Sequence, residues 1–196
     1  MSNKKVNFGN VGIWAFCVRI TCRRDWRIDS DIYRKKKSED KTVMYKMRRK
    51  DRQLGNEDTI EILQHNQYGI LSTVDKEGMP YGVPLTYVYD EGKIYFHSAV
   101  EGHKLDNINF NKKVSFCVVG PTEILPEQFS TRYESAIAFG EVHELIGEEK
   151  IAVLMKVVER YSPEFREKEM KYIKAAEARA RVFCINVDRM TGKSRK

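Results

Sequence analysis

Two short turn sequences in the middle of the chain do the most to limit how it can fold. Asp75-Lys-Glu-Gly78 and Asp90-Glu-Gly92 each lie between two segments rich in β-branched and aromatic residues, a composition typical of β-strands. Connections this short join antiparallel strands, because a parallel pair needs a crossover of about a dozen or more residues. The sequence therefore predicts an antiparallel meander of three strands at 69–74, 81–89 and 93–98.

Three further strands and four helices complete the predicted secondary structure. The strands are predicted at 114–119, about 132–146 and 181–187. The helices are predicted from 56 onward and at 101–110, 148–159 and 162–180, and residues 122–130 are predicted to form a loop. Six mostly sequential strands with helices inserted late predict a mainly β fold with peripheral helices, a small six-stranded antiparallel barrel that is closed or split.

The predicted helices carry capping and periodicity signals. Asn56 is a candidate N-cap followed by acidic residues, and Ser162 is a candidate N-cap followed by proline. The apolar face of the first helix consists of Ile60, Leu63 and Tyr68. In the second helix, Leu105 and Ile108 are expected to face inward.

The net charge of +7 is confined to the start of the chain. Residues 1–46 carry twelve lysines and arginines against five acids, whereas residues 47–196 carry 23 of each sign. A body without excess charge argues against a nucleic-acid partner. The longest apolar run, Val11–Val18, is far shorter than the roughly 20 residues of a membrane-spanning helix, so no membrane partner is expected either. We predict a globular domain at 47–196 and a basic, poorly structured extension at 1–46.

The cysteines and two of the histidines show no pattern for metal binding. The four cysteines include no CxxC pair, and their spacing fits no zinc framework. His65 and His143 have no Asp or Cys at the spacing of a triad or a metal site, so both are predicted to be surface or packing residues. No metal site is expected. Cys117 and Cys184 lie in apolar segments, which fits buried, reduced thiols and a cytoplasmic location.

The segment His97-Ser-Ala-Val-Glu-Gly-His-Lys104 has the densest cluster of residues suited to ligand binding. It lies where a predicted strand ends and a helix begins, a junction that presents unpaired backbone N–H groups beside the positive end of the helix dipole. Ser98 adds a hydroxyl, Gly102 permits close approach of the backbone, and Lys104 supplies a positive charge. The segment predicts a phosphate site, although the same residues also fit an ordinary capped helix with a solvated lysine.

Three segments carry a further signal, because they occur in the same order in a known family. They are Met47-Arg-Arg-Lys-Asp-Arg52, Tyr81–Asn107 and Tyr133–Val142. In these segments the chain resembles the pyridoxamine-phosphate-oxidase-like split-barrel flavoproteins, and within them the nitroimidazole-resistance group. The resemblance runs from about Met47 to the C-terminus and leaves the basic extension outside it.

The resemblance implies a homodimer that holds two molecules of FMN at its interface. The residues that match the family's flavin contacts fall into three groups. Those expected to run along the flavin ring are Val83, Pro84, Leu85 and Thr86. Those expected at the ribityl phosphate are His97, Ser98, Ala99, His103 and Lys104. On a later strand, Ser135 is expected to hydrogen-bond the flavin. Proline at position 84 removes a ladder donor in mid-strand, which requires an edge strand or a bulge.

Two departures from the oxidase argue against pyridoxamine phosphate oxidation. Gly82 and Tyr87 stand where the oxidase has an arginine and a lysine, and the sequence lacks the oxidase's C-terminal arginine-bearing segment. The resemblance implies instead an FMN-dependent oxidoreductase that passes electrons to a small acceptor such as a nitroaromatic. In that enzyme His97 would donate a proton to the reduced substrate, although a histidine at a strand end also fits a structural or phosphate-contacting role.

Two other functions stay open from the sequence alone. The first is a non-enzymatic FMN-binding or flavin-carrier protein. The second is a protein that binds nucleic acid or a membrane through the basic extension.

Overall fold

The computed structural model describes residues 46–165, 173 and 179–196 of the chain. The chain divides into two units, Met1–Lys46 and Met47–Lys196, and the second is described here. The predicted poorly structured extension lies outside the described residues, apart from Lys46, and stays a prediction.

Seven strands of the described residues form a single antiparallel sheet in the order β2-β1-β5-β6-β7-β4-β3. The strands are β1 (Tyr68–Val74), β2 (Pro80–Thr86), β3 (Val88–Asp90), β4 (Lys93–Ser98), β5 (Lys113–Leu125), β6 (Ser130–Leu145) and β7 (Arg181–Arg195). The accompanying helices are α1 (Asn56–His65), α2 (His103–Phe110) and α3 (Gly147–Tyr161), with short 3-10 turns at Lys50–Arg52, Pro126–Gln128 and Pro163–Phe165. The predicted mainly β fold with peripheral helices is confirmed.

The sheet curls into a barrel that is split between its two edge strands. β2 and β3 lie at opposite ends of the strand order, yet Tyr87 alone separates them in the chain. Consecutive Cα atoms are about 3.8 Å apart, so the two edges of the sheet must approach each other at this residue. β2 also contacts β4 across the split.

Two apolar clusters hold the sheet. The interior of the barrel contains the largest fully buried side chains, which are Tyr87, Phe96, Phe116 and Phe183. A smaller cluster lies between α3 and the sheet and includes Leu154 of α3 with Val182 and Cys184 of β7. Because the first half of β7 is buried on both faces, it reads as a continuous apolar run in the sequence.

The predicted three-strand meander is wrong at its second strand. Residues 81–89 form two strands, because the chain leaves the ladder at Tyr87, where the backbone N–H and C=O bond to the phenol of Tyr161. β2 pairs with β1, whereas β3 pairs with β4. The two hairpins therefore lie at opposite ends of the sheet, which has seven strands rather than six.

The predicted loop at 122–130 is also wrong. β5 continues to Leu125 and β6 begins at Ser130, so the connection is a 3-10 turn followed by Phe129 at a positive φ of 46°. Gly120-Pro121 suggested a strand end, but the sheet accommodates both residues as an irregularity between Val119 and Thr122. β7 likewise runs to Arg195 rather than ending at Val187.

Three of the predicted helices are observed with small changes at their ends. Gly55, not Asn56, is the N-cap of α1, and Tyr68 belongs to β1, where it is exposed. Ser162 is the C-cap of α3 and is followed by a 3-10 turn. Most of the helix predicted at 162–180 lies outside the described residues.

The predicted inward positions and the isolated cysteines and histidines can be located directly. Leu105 and Ile108 of α2 are buried, as expected. Cys184 is buried and Cys117 is half-buried, and in both the burial raises the pKa of the thiol. His65 and His143 are exposed.

Neither a membrane-spanning helix nor a metal cluster is found in the part of the chain that the structure describes. None of its helices is long and apolar enough to cross a membrane. No group of three or more His, Cys, Asp or Glu side chains in this part could hold a metal ion.

Candidate functional site

The candidate phosphate segment begins at the end of β4, where Ser98 lies on the buried face of the strand. Buried and more exposed side chains alternate along β4, so Ile94, Phe96 and Ser98 share one face. Ser98 is only 6% exposed, and its hydroxyl oxygen has no hydrogen-bond partner among the described residues. A buried polar group left unpaired costs about 1–3 kcal/mol, so this hydroxyl is well suited to bond a ligand.

α2 follows shortly after Ser98, and no side chain caps its first turn. Gly102 precedes the helix with a φ of 134°, a conformation that L side chains rarely adopt. The N–H of Leu105 bonds to the carbonyl of Gly102 at 2.8 Å. The two preceding N–H groups, those of His103 and Lys104, lie at the positive end of the helix dipole, which favours an anion.

A buried polar network holds α2 against the β1–β2 hairpin. The side-chain amide of Asn107 donates to Oγ1 of Thr73 at 3.0 Å, and that hydroxyl donates to the carbonyl of Tyr81 at 3.3 Å. Asn107 and Thr73 are both almost fully buried. The rings of Tyr81 and His103 lie 4.5 Å apart. These contacts place the start of α2 beside β2.

β2 is an edge strand, as Pro84 led us to expect. Among the described strands it pairs with β1 alone, so its outer edge is open. Val83 and Leu85 are partly buried against the core, whereas Pro84 and Thr86 are exposed on the other face. The strand thus presents an open backbone edge and an exposed face to any ligand or protein that lies beside it.

The side chain of His97 lies on the opposite face of β4 from that of Ser98. Its pairing partner on β7 is Val182, a member of the apolar cluster under α3. The imidazole is exposed, but partial burial lowers its pKa below the ordinary value of 6.5. His97 therefore does not converge with Ser98 on one face of β4. Ala99, just beyond the strand, is exposed.

Ser135 lies far from Ser98 within one chain. Along β7, Arg181 is the partner of Ser98 and Lys193 is the partner of Ser135. Twelve residues separate these two positions, which is roughly 40 Å of extended strand at about 3.3 Å per residue. One chain therefore brings together Ser98, the start of α2 and β2, but not Ser135.

The family model of pyridoxamine 5'-phosphate oxidase matches residues 55–194. The chain belongs to this family. The resemblance inferred from Tyr81–Asn107 and Tyr133–Val142 is confirmed, and every candidate site residue falls inside the match. The segment Met47–Arg52 lies outside it.

Solved structures share the fold of this chain. A candidate 5-nitroimidazole antibiotic resistance protein from Bacteroides thetaiotaomicron is 26% identical, with a TM-score of 0.63 over 72% of this chain and 85% of that one. An FAD-binding protein from Mesorhizobium loti is 24% identical, with a TM-score of 0.52 over 74% of this chain and 98% of that one.

A third solved structure shares the fold at lower identity. The FAD and heme binding protein from Mycobacterium smegmatis is 16% identical, with a TM-score of 0.62 over 74% of each chain. A search of curated proteins finds no match. At identities below 25%, the second and third structures show a common fold with this member of the family and nothing more.

Sequence reasoning did not find the network that positions the phosphate segment. Thr73 and Asn107 were not singled out, because an isolated polar residue in a strand or a helix gives no local sign of burial. One signal was present in α2, since Asn107 lies between Leu105 and Ile108 on the face predicted to be buried. A polar residue in that position must find a hydrogen-bond partner.

Proposed function

We propose that this chain is an FMN-dependent oxidoreductase that reduces small acceptors such as 5-nitroimidazole compounds, and that it works as a homodimer. The observation that carries the proposal is the buried, unpartnered hydroxyl of Ser98, which precedes a helix whose first turn has no side-chain cap. A hydroxyl, free N–H groups and the ammonium of Lys104 are the donors that a phosphate monoester requires.

The residues of the candidate site fit FMN in two respects. The phosphate would be held by Ser98, Lys104 and the first N–H groups of α2. The flat ring would lie along the open edge of β2, where Pro84 supplies no donor and the neighbouring backbone groups are accessible. Bound FMN supplies the redox chemistry of the reaction, namely the acceptance and transfer of electrons.

The protein's own contribution is to position and shield the flavin. The Asn107–Thr73–Tyr81 network prevents α2 from moving relative to β2, so the phosphate anchor and the ring-binding strand keep a constant separation. The donors of the phosphate anchor are thus already in place and need no rearrangement when the ligand binds. We infer that His97, in its imidazolium form, donates a proton towards the reduced acceptor and returns to the neutral imidazole, rather than holding the phosphate.

A second subunit accounts for the position of Ser135. The partners of Ser98 and Ser135 are twelve residues apart on β7, roughly 40 Å along an extended strand. Two chains packed edge to edge would place one chain's Ser135 beside the other's Ser98. Large apolar side chains are also exposed near these regions, including Ile70 opposite Pro84 on β1 and Val119 opposite Ser135 on β5. A dimer would cover them.

The acceptor is inferred from one of the solved structures that this chain resembles. The candidate nitroimidazole resistance protein shares the fold and 26% of its residues with this chain. The departures at Gly82 and Tyr87 support the same choice, because they remove the cations that the oxidase places along the corresponding strand.

Replacing Lys104 by alanine tests the phosphate site. We expect the K104A variant to bind FMN about tenfold more weakly, because a charge-assisted hydrogen bond is lost from a partly exposed position. Fluorescence quenching of FMN titrated with apoprotein measures the dissociation constant. K113A, which removes an exposed lysine at the start of β5, is the control.

Equal affinity for FMN in wild type and K104A would contradict the phosphate site. A wild-type protein that neither purifies yellow nor binds added FMN would overturn the proposed function as a whole. If the protein binds FMN but shows no dithionite- or NADH-driven reduction of a nitroimidazole, it is a flavin carrier and not a reductase.

The H97A variant separates a role in turnover from a role in cofactor binding. Since His97 and Ser98 face opposite sides of β4, we expect FMN affinity to change less than twofold and turnover to fall about tenfold or more. Burial lowers the pKa of His97, so if the imidazolium is the active donor, turnover rises as pH falls through that pKa. The measurements are FMN titration and a pH profile of kcat. A parallel loss of affinity and turnover would show that His97 is only an anchor.

A further inference from the structure

A second cluster of positive charge lies at the other end of β7, away from Ser98. A cleft of about 470 Å³ is bordered there by the segment 49–54 and by the last residues of β7. Its lining includes the charged residues Arg49, Asp51, Arg52, Arg195 and Lys196. Four positive side chains thus face one carboxylate, and that carboxylate is already paired with Arg49.

The two walls of this basic cleft are held together by specific contacts. The N–H of Leu54 donates to the carbonyl of Gly192 at 3.0 Å, and Gln53 forms a β-bridge with Lys193. Gly192 allows the approach, because a Cβ at this position would lie 2.1 Å from Oγ1 of Thr59. These backbone contacts therefore fix the positions of residues 52 and 195 relative to each other.

Tyr133 lies within the same group of cations. It pairs with Arg195 across the β6–β7 ladder, and Nζ of Lys193 lies 5.8 Å from the centre of its ring. Burial acts to raise the pKa of the phenol, but hydrogen bonds from Arg52 and Lys193 outweigh it and lower the pKa. A lowered phenol pKa reflects a positive local potential. Arg52, Lys193 and Arg195 are all partly buried, and like charges at such positions repel one another unless an anion is bound.

A neighbouring cleft shows that this charge is local. It shares Leu54, Ser194 and Lys196 with the basic cleft but is also lined by Asp58, Glu61 and Glu134. Adjacent positions on β6, Tyr133 and Glu134, thus contribute to regions of opposite sign. Anions are expected to enter the basic cleft and to be repelled from its neighbour.

We propose that the basic cleft formed by residues 49–54 and 194–196 is a binding site for the phosphate group of a phosphorylated small molecule. Arg52 and Arg195 would bind the phosphate oxygens, since guanidinium groups match them in a bidentate geometry. Within one chain the site is separate from the Ser98–Lys104 segment, and the inference does not rest on the proposed function. It also assigns a role to the segment Met47–Arg52, which lies outside the family match.

Isothermal titration of the purified full chain with inorganic pyrophosphate tests this site at low salt. We expect saturable binding in wild type, a loss of about tenfold or more in each of R52A and R195A, and unchanged binding in K76A, which removes an exposed lysine from the β1–β2 turn. Tenfold higher salt should weaken wild-type binding. ADP, titrated in parallel, distinguishes the ligand source: tighter binding than pyrophosphate indicates a nucleotide, and equal binding indicates that the phosphate group alone is recognised.

Three results would overturn the proposal. They are an absence of saturable binding by pyrophosphate and ADP in wild type, equal binding in wild type and both arginine variants, and loss of binding in K104A with retention in R52A and R195A. The last result would place the anion in the Ser98–Lys104 segment and leave the proposed function intact. Circular dichroism and Tm of each variant exclude unfolding as the cause of a loss.

Discussion

The G140A variant is expected to lose about 3 kcal/mol or more of unfolding free energy, the largest effect of any substitution considered. A Cβ at Gly140 would lie 1.9 Å from the carbonyl oxygen of Asn186 and 2.8 Å from its carbonyl carbon. Both atoms are backbone, so no side-chain rotation can relieve the clash. The contact lies where β6 and β7 shift register, between Phe139 and Gly140, and those strands are central in the sheet. Thermal unfolding followed by circular dichroism should show a Tm lower by about 10 °C.

G55A is the matched control for this glycine. The nearest atom to a Cβ at Gly55 is a carboxylate oxygen of Asp58 at 3.9 Å, an ordinary contact. Gly55 is the N-cap of α1, where alanine is less favourable than glycine, so we expect G55A to lower the unfolding free energy by about 1 kcal/mol or less. If G140A were as stable as G55A, the strands would not approach each other at the register shift as described.

The Y161F variant is expected to lose about 2–3 kcal/mol of unfolding free energy. The phenol oxygen of Tyr161 lies 2.6 Å from the carbonyl of Tyr87 and accepts the N–H of Tyr87 at 3.3 Å. It also lies 2.7 Å from the carbonyl of Gln67. Phenylalanine keeps the ring but leaves the backbone polar groups of Tyr87 without partners at the split of the barrel, where Tyr87 itself is fully buried.

Y68F provides the comparison for Y161F, because it also removes one phenol oxygen. Tyr68 is 61% exposed on β1, so its hydroxyl is solvated in both the folded and the unfolded chain. We expect Y68F to unfold in urea at the wild-type midpoint and Y161F to unfold at a clearly lower one. Coinciding midpoints for Y161F and wild type would mean that water replaces the phenol without cost, and the barrel split would then not depend on α3.

The parts of the fold that were predicted correctly are those encoded by neighbouring residues. The turns at Asp75–Gly78 and Asp90–Gly92 specify their hairpins locally, and the apolar spacing of Leu105 and Ile108 specifies the buried face of α2. The division of the second strand could not be predicted in this way. It depends on a hydrogen bond between Tyr87 and Tyr161, which are 74 residues apart in the sequence.

The candidate site was predictable to the same extent. Ser98, Gly102 and Lys104 lie close together in the chain, so a strand followed by a helix was enough to suggest a phosphate site. The Asn107–Thr73–Tyr81 network and the basic cleft each join segments that are distant in sequence. The opening Met47–Arg52 was recognised only as a point of resemblance, because nothing in it indicates that it would meet the end of β7.

The order of the strands has a consequence for how the chain reaches its folded state. β4 joins the sheet through β7, and β3 joins it through β4. The β3–β4 hairpin therefore cannot join the sheet until β7, almost ninety residues further along the chain, has been synthesised. A pairing this distant raises the contact order of the fold and slows its folding. During synthesis on the ribosome, the edges of β4 and β6 stay open until the final strand emerges. That interval is when the chain is most exposed to aggregation and to assistance from chaperones.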